Sequence, residues 1–293
     1  MVRYAQPVGV AILLMTAACG DTPQEPEVVT ETAPNVSADD YDPSKFGDSA
    51  NVDHRWYPLR PGTHLEYTGS SVDDGERLSH SVDVIVTDLV KEIDGVPNIV
   101  VWERDYTEGE LEETELALFA QDKDGHVWHM GEYPEEYDDG TLDKAPAWVH
   151  GLKGATAGIT IPADPREGTA AYAQGFAPAP IDWVDRGRVY KTGQRTCVPA
   201  GCYEDVVVIE EFEENLPDAF QDKYYAPGVG VVRVGWRGSA DESKETLELV
   251  KASQLSPAEL TDARAGALEL EDRAYRSSKD VYAQTPRAQE RLT

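Results

Sequence analysis

The segment that decides the fold is residues 111–133, which read LEETELALFAQDKDGHVWHMGEY. Two β-rich runs, 111–120 and 126–133, flank the turn signal Asp122-Lys123-Asp124-Gly125. Two such runs joined by a short Asp/Gly turn are typical of a β-hairpin. The segment therefore predicts two neighbouring antiparallel strands.

Similar runs continue on both sides of this hairpin. Residues 81–87 place Val82, Val84 and Val86 on one face, which is the two-residue period of a strand. Further strands are predicted at 99–106, 188–196, 203–212, 229–234 and 244–250. Because short turns join them and no helical repeats intervene, a parallel α/β sheet is disfavoured. We predict a mainly β fold, in which residues 50–255 form a single curved antiparallel sheet or an open barrel.

Two segments depart from the strand pattern. Residues 134–180 are rich in proline and glycine and predict a long irregular insertion, which could carry function if it is ordered. Ser256-Pro257-Ala258-Glu259 has the order of an N-cap, a first-turn proline and a capping-box glutamate. It predicts a helix to about Arg276, within a helical C-terminal tail spanning 256–293.

The chain is strongly acidic. Its 293 residues include 26 Lys+Arg and 55 Asp+Glu, which gives a net charge of −29. This excess argues against electrostatic attraction to nucleic acid or to an anionic membrane surface, and we expect no nucleic-acid partner. The negative charge does not exclude divalent cations or basic proteins as binding partners.

The N-terminus is typical of an exported lipoprotein. Residues 1–18 predict a signal peptide, because the apolar stretch 8–15 is too short to span a bilayer. Ala17-Ala18-Cys19-Gly20 resembles the lipobox of bacterial lipoproteins, although Thr16 stands where leucine is usual, and it predicts lipid attachment at Cys19. The acidic, proline-containing residues 19–49 predict a disordered tether. We therefore expect a location in the bacterial cell envelope, anchored to a membrane through lipid.

The sequence contains no recognisable catalytic motif. It has no G-x-S-x-G, H-E-x-x-H, phosphate-loop or C-x-x-C pattern. Pairs of carboxylates do not identify a catalytic site in so acidic a chain, because they occur throughout it. We therefore predict no catalytic residue, no metal ligand and no cofactor. A regular strand would place His126, Met130 and Glu132 on one face, and an incidental arrangement is favoured there over a metal site.

Cys197 and Cys202 enclose the turn Val198-Pro199-Ala200-Gly201 between two β-rich runs. In an oxidising compartment, a structural disulfide between these cysteines is favoured over a redox pair or thiolate metal ligands.

Five motifs in this order resemble a family of secreted bacterial β-rich proteins and lipoproteins, over about residues 56–235. They are Pro58–Thr63 (PLRPGT), Ala120–Trp128 (AQDKDGHVW), Gly158–Pro165 (GITIPADP), Val198–Gly201 (VPAG) and Lys223–Gly230 (KYYAPGVG). The family has no established activity, so the resemblance implies a β-rich envelope protein and no chemistry.

We therefore predict a lipid-anchored envelope protein with a binding or structural role, and an enzyme is less favoured. Trp128, Trp148 and Trp183 are the candidate ligand-binding residues, because they could line a concave sheet face for an apolar small ligand. The alternatives are a hydrolase that uses carboxylates on an envelope polymer and a divalent-cation binder.

Overall fold

The computed structural model describes residues 37–73, 75–240 and 244–291. The predicted signal peptide, Cys19 and most of the predicted tether lie outside the described residues. The strands are β1 (Thr63–Asp73), β2 (Glu76–Ile93), β3 (Val96–Thr107), β4 (Glu110–Gln121), β5 (Val127–Asp138), β6 (Thr141–Lys144), β7 (Trp148–Val149), β8 (Thr156–Ile161), β9 (Tyr172–Ala173), β10 (Gly175–Phe176), β11 (Arg186–Val198), β12 (Gly201–Phe212), β13 (Phe220–Ala226), β14 (Gly230–Arg237), β15 (Thr246–Gln254) and β16 (Gln289–Glu290).

These strands form one antiparallel sheet. Its order is β10-β8-β5-β4-β3-β2-β1-β15-β14-β13-β12-β11-β9, while β6, β7 and β16 pair at its sides. Sequence neighbours are therefore mostly sheet neighbours, and the pairing of β1 with β15 joins the two halves of the chain. The sheet does not close on itself, so the prediction of a mainly β, single antiparallel open sheet is confirmed.

The two faces of the sheet have separate cores. On the outer face, Leu116 and Leu118 of β4 pack with Ala267 and Leu270 of the helix α1 (Pro257–Ser277). On the inner face, one cluster holds residues of β2–β5 together with Val189, Val207, Ile209 and Tyr225 of β11–β13. Distant strands share this cluster, so the sheet curls and its inner face packs partly against itself.

Helix α1 begins as the sequence predicts. Ser256 accepts a hydrogen bond from the Glu259 N–H, and the Glu259 carboxylate accepts one from the Ser256 N–H. The sequence predicts a helical tail to residue 293, but the chain beyond α1 is not an α-helix. It makes a 3₁₀ turn at Tyr282–Gln284 and then runs along β2 as β16. The Pro286 carbonyl accepts a hydrogen bond from the buried ammonium of Lys91, which fixes this return.

The segment 134–180 contains more regular structure than its prolines and glycines predict. Strand β5 continues past Pro134 to Asp138, where it pairs with β6, and β8 pairs with its first residues. The reason is apolar burial, because Tyr133, Ile159 and Ile161 are fully buried. The remainder forms short pairings and turns.

The end of the predicted tether is ordered. Two 3₁₀ turns, Ala38–Asp40 and Pro43–Lys45, precede Phe46, which belongs to the outer core. Tyr41 and Phe46 contact the Trp128 ring, with centroid distances of 5.7 and 6.1 Å. The tether prediction gave too little weight to these two aromatic side chains, because residues before residue 50 already pack against the sheet.

The two cysteines of the 198–201 turn are joined in the structure. Cys197 and Cys202 are register partners on β11 and β12, with a Cα–Cα distance of 4.0 Å and a disulfide between them. Among the described residues, no helix combines the length and apolar character needed to cross a membrane.

Candidate functional site

The inner face lines a partly open cavity of about 370 Å³. Its lining combines many apolar side chains with eight carboxylic residues. The apolar part includes Tyr57, Leu59, Leu65, Tyr67, Val82, Val84, Val86, Ala117, Phe119, Tyr225, Val229, Val231, Val234 and Leu247. The acidic residues are Glu103, Asp105, Glu113, Glu115, Glu132, Asp185, Glu211 and Glu245.

The hairpin of β3 and β4 positions four of these acids. Its two-residue turn has positive φ at Glu108 (52°) and Gly109 (86°), as a hairpin turn of this hand requires. The register places Glu103 opposite Glu115 and Asp105 opposite Glu113. Because alternate residues of a strand share a face, all four side chains point into the cavity. With Glu132 of β5, we call this group the carboxylate wall.

Like charges face each other within the carboxylate wall, and directly opposed like charges destabilise a sheet. Burial, followed by the neighbouring carboxylates, raises the pKa of Glu115 well above its usual range. Burial likewise raises the pKa of Glu132 to about 8 and, with the other acids, that of Glu113 to about 7. Part of the wall therefore holds protons at neutral pH in the absence of a cation.

The opposite side of the cavity supplies one cation. Lys223 of β13 lies 2.7 Å from Glu211 of β12. Burial opposes its charge, but Glu211 and the other acids raise the pKa of Lys223 above its usual value, so it stays an ammonium. Of the described residues that line the cavity, Lys223 is the sole lysine or arginine. It is already paired with Glu211, so the described part of the lining offers the carboxylate wall no separate lysine or arginine.

An aromatic group adjoins the carboxylate wall. Trp183 lies with its ring centroid 4.6 Å from that of Trp148 and 5.1 Å from that of His129. Burial lowers the pKa of His129 to about 3, so its imidazole is neutral. Burial raises the pKa of Asp185 to about 6, while the Trp183 indole N–H lowers it. The part of the cavity beside Trp183 can therefore contact both apolar and polar groups of a ligand.

The structure separates the three tryptophans that the sequence grouped. Trp183 lines the cavity. Trp148 is fully buried behind it. Trp128 belongs to the outer core and donates its indole N–H to Asp122 at 2.9 Å, so placing it at the cavity was wrong.

A β-bulge explains the error on β5. Leu118 pairs with Gly131 and Phe119 with His129, so Met130 is an extra residue. Met130 consequently joins the outer core, whereas Glu132 faces the cavity. His126 accepts a hydrogen bond from the Ala163 N–H at 3.0 Å. The metal arrangement of His126 with Met130 or Glu132 is therefore not formed.

Sequence reasoning missed the carboxylate wall. The signal was Glu103-x-Asp105 and Glu113-x-Glu115, placed symmetrically about the Glu108-Gly109 turn. Acids at alternate positions on both arms of one hairpin must share one face. Because acidic residues are frequent throughout the chain, this arrangement did not stand out from the rest of the sequence.

Comparisons with known proteins gave two structural likenesses. One is a chain from Bacteroides fragilis, provisionally described as an exported protein with a YmcC-like fold, with a TM-score of 0.39 and 14% identity, covering 69% of this chain and 100% of that one. The other is a provisionally described lipoprotein from Parabacteroides distasonis, with a TM-score of 0.37 and 11% identity, covering 68% and 99%. No protein-family model and no curated protein matches the chain.

Proposed function

We propose that this protein is a lipid-anchored cell-envelope protein that binds a small amphipathic cation in its inner cavity. The observation that carries the proposal is the lining of the cavity, which combines a large apolar group with eight carboxylic residues, five of them in the carboxylate wall. Ligand pockets have volumes of roughly 300–1,000 Å³, apolar linings and a few polar groups that orient the ligand. A cavity of about 370 Å³ fits a compact ligand of this kind.

The charge of the ligand follows from the carboxylate wall. Buried carboxylates at close range cannot all ionise without a compensating cation. An ammonium group beside Glu115 and Glu132 supplies that charge, while its hydrocarbon part contacts Val84, Val231 and Leu247. An anionic ligand of the same shape would meet the same carboxylates and be repelled.

The envelope location is supported by the N-terminal sequence alone. A short apolar run followed by Ala17-Ala18-Cys19-Gly20 is typical of a lipoprotein precursor. We expect mass spectrometry of the membrane fraction to find Cys19 as an acylated N-terminal residue. A mature protein that begins elsewhere and carries no lipid would contradict the anchor.

Three eight-carbon probes test the ligand class: octylammonium, octanol and octanoate. The alkyl chain has eight carbons in octylammonium and octanol and seven in octanoate, and transfer of such a chain from water contributes at most about 6 kcal/mol, at ~0.8 kcal/mol per CH₂. Part of this is offset by the cost of association, so we expect octylammonium to bind with a micromolar to millimolar Kd. Octanol should bind about tenfold more weakly, and octanoate should not bind measurably.

Tryptophan fluorescence reports this titration, because Trp183 lines the cavity. Trp183→Phe should lose most of the ligand-dependent change. The matched control is Trp236→Phe, since Trp236 is 38% exposed and does not line the cavity, and this variant should keep the change. Equal binding of all three probes, or no binding of octylammonium, would contradict the proposal.

A further inference from the structure

A buried histidine beside two of the cavity's acidic residues has unusual surroundings. The His80 side chain on β2 is 6% exposed and lies between two carboxylates. Its Nδ1 is 3.3 Å from Asp105 Oδ1, and its Nε2 is 3.0 Å from Glu245 Oε1. At neither nitrogen does the geometry make a hydrogen bond, and Asp105 Oδ1 is likewise buried without one. Buried polar atoms normally form hydrogen bonds, so these atoms are candidates for a further partner.

A third carboxylate completes a possible ligand set. One ligand atom each of His80, Asp105 and Glu112 lies within 4.8 Å of the others. The three residues come from β2, β3 and β4, which are neighbours in the sheet. Backbone pairing of β2 with β3 sets the spacing of His80 and Asp105, and Glu112 lies at the register shift between β3 and β4. The Glu112 side chain is exposed and accepts a hydrogen bond from the Thr107 hydroxyl. It can therefore turn towards an ion without unfolding the sheet.

We propose that His80, Asp105 and Glu112 form a binding site for a divalent transition-metal ion such as Zn²⁺. Ligand atoms about 2.0–2.2 Å from a tetrahedral ion lie roughly 3.3–3.5 Å from each other. The 3.3 Å distance between His80 Nδ1 and Asp105 Oδ1 already has this value. One imidazole with carboxylates suits the transition metals better than Ca²⁺ or Mg²⁺, which take oxygen ligands.

Glu245 is placed to act as a positioning residue. Metal-bound histidines commonly donate their second ring N–H to a carboxylate, which fixes the ring orientation. With the ion on Nδ1, a small rotation of the His80 ring turns the 3.0 Å contact of Nε2 with Glu245 into such a hydrogen bond. The protein thus supplies three metal ligands and leaves a fourth coordination position open. Because Asp105 and Glu245 also line the cavity, water or a molecule bound in the cavity can take that position.

The alternative occupant is a proton. An imidazolium at His80 would pair with Asp105 and Glu245 and leave no room for a metal ion. Metal titration of the full mature chain, stripped with a chelator, separates the two cases. We expect the protein to bind one equivalent of Zn²⁺ by calorimetry at pH 7, and Co²⁺ in the same site to give visible absorption bands.

Two variants locate the ion. His80→Gln should lower Zn²⁺ affinity at least tenfold, and so should Glu112→Gln, which changes an exposed side chain and should leave the fold intact. The matched control is His64→Gln, because His64 also faces two carboxylates, Glu66 at 3.7 Å and Asp83 at 3.6 Å. The control should bind Zn²⁺ as the wild type does.

Absence of saturable Zn²⁺ binding in the wild type would overturn the proposal, as would an unchanged affinity in either variant. The titration contains no amphipathic probe, so its outcome is independent of the octylammonium experiment. Circular dichroism of each variant should match the wild type, which separates loss of the ion from loss of the fold.

Discussion

Replacing Lys91 by methionine is expected to lower the free energy of unfolding by about 3–5 kcal/mol. The Lys91 ammonium is fully buried and lies 2.9 Å from Glu271 Oε1 of α1. It also donates to the Pro286 carbonyl at 2.6 Å and lies 4.3 Å from the centroid of the Tyr282 ring. Methionine fills the space but leaves the Glu271 carboxylate, 1% exposed, without its principal cation.

Urea denaturation of Lys91→Met measures this loss, and two further variants interpret it. Lys251→Met removes an exposed lysine that pairs with Glu66, and it should lower the free energy of unfolding far less than Lys91→Met does, because solvent screens exposed ion pairs. Adding Glu271→Leu to Lys91→Met removes the stranded carboxylate and should recover part of the lost stability. A loss in Lys91→Met as small as that of Lys251→Met would show that the buried pair does not hold α1 and the C-terminal segment.

Replacing Glu115 by glutamine should have the opposite effect and stabilise the empty protein at pH 8, by roughly 1–3 kcal/mol. Glu115 faces Glu103 across the strand pair, and burial, followed by the Glu132 and Glu103 carboxylates, raises its pKa. Glutamine keeps the shape and removes the charge. The same change should weaken octylammonium binding, so stability is gained where binding is lost.

The pH dependence follows from the direction of these shifts. A carboxyl group ionises near pH 4.3 in the unfolded chain but at a higher pH in the folded protein, at about 8 for Glu132. Between these values the folded state holds more protons than the unfolded state, so stability falls as the pH rises. The wild type should therefore be less stable at pH 8 than at pH 5, and Glu115→Gln should lose less over this interval.

Denaturation of both proteins at pH 5 and pH 8 tests this expectation. Glu110→Gln is the matched control, because Glu110 lies exposed on the same hairpin, and its stability should follow the wild type at both pH values. Should Glu115→Gln prove no more stable than the wild type at pH 8, the carboxylate wall would not be under charge repulsion.

Features encoded over a few residues were predictable from the sequence. The hairpin at 122–125 and the start of α1 at Pro257 each depend on turn or capping residues close to them in the chain. The alternation at 81–87 likewise identified the inward-facing Val82, Val84 and Val86. In each case local backbone preferences agree with the final fold.

Features that depend on distant contacts were not predictable. Whether the face of Glu103 and Glu115 meets solvent or a cavity depends on β11–β13 curling over it, about 100 residues later in the chain. The extra residue Met130 reverses the expected direction of Trp128 relative to Glu132, and a strict two-residue period cannot anticipate a bulge. Phe46 looked like part of a tether because its partner, Trp128, lies 82 residues away in sequence.

The central claim is that the carboxylate wall accepts a cation, and proton release on binding tests it most directly. The octylammonium titration is repeated by calorimetry at pH 7 in buffers of different ionisation enthalpy. Because an ammonium beside Glu115 and Glu132 favours their ionised forms, we predict that binding releases protons and that Glu115→Gln reduces both the release and the affinity. Binding of octylammonium without proton release, or binding of octanoate with equal affinity, would contradict the account.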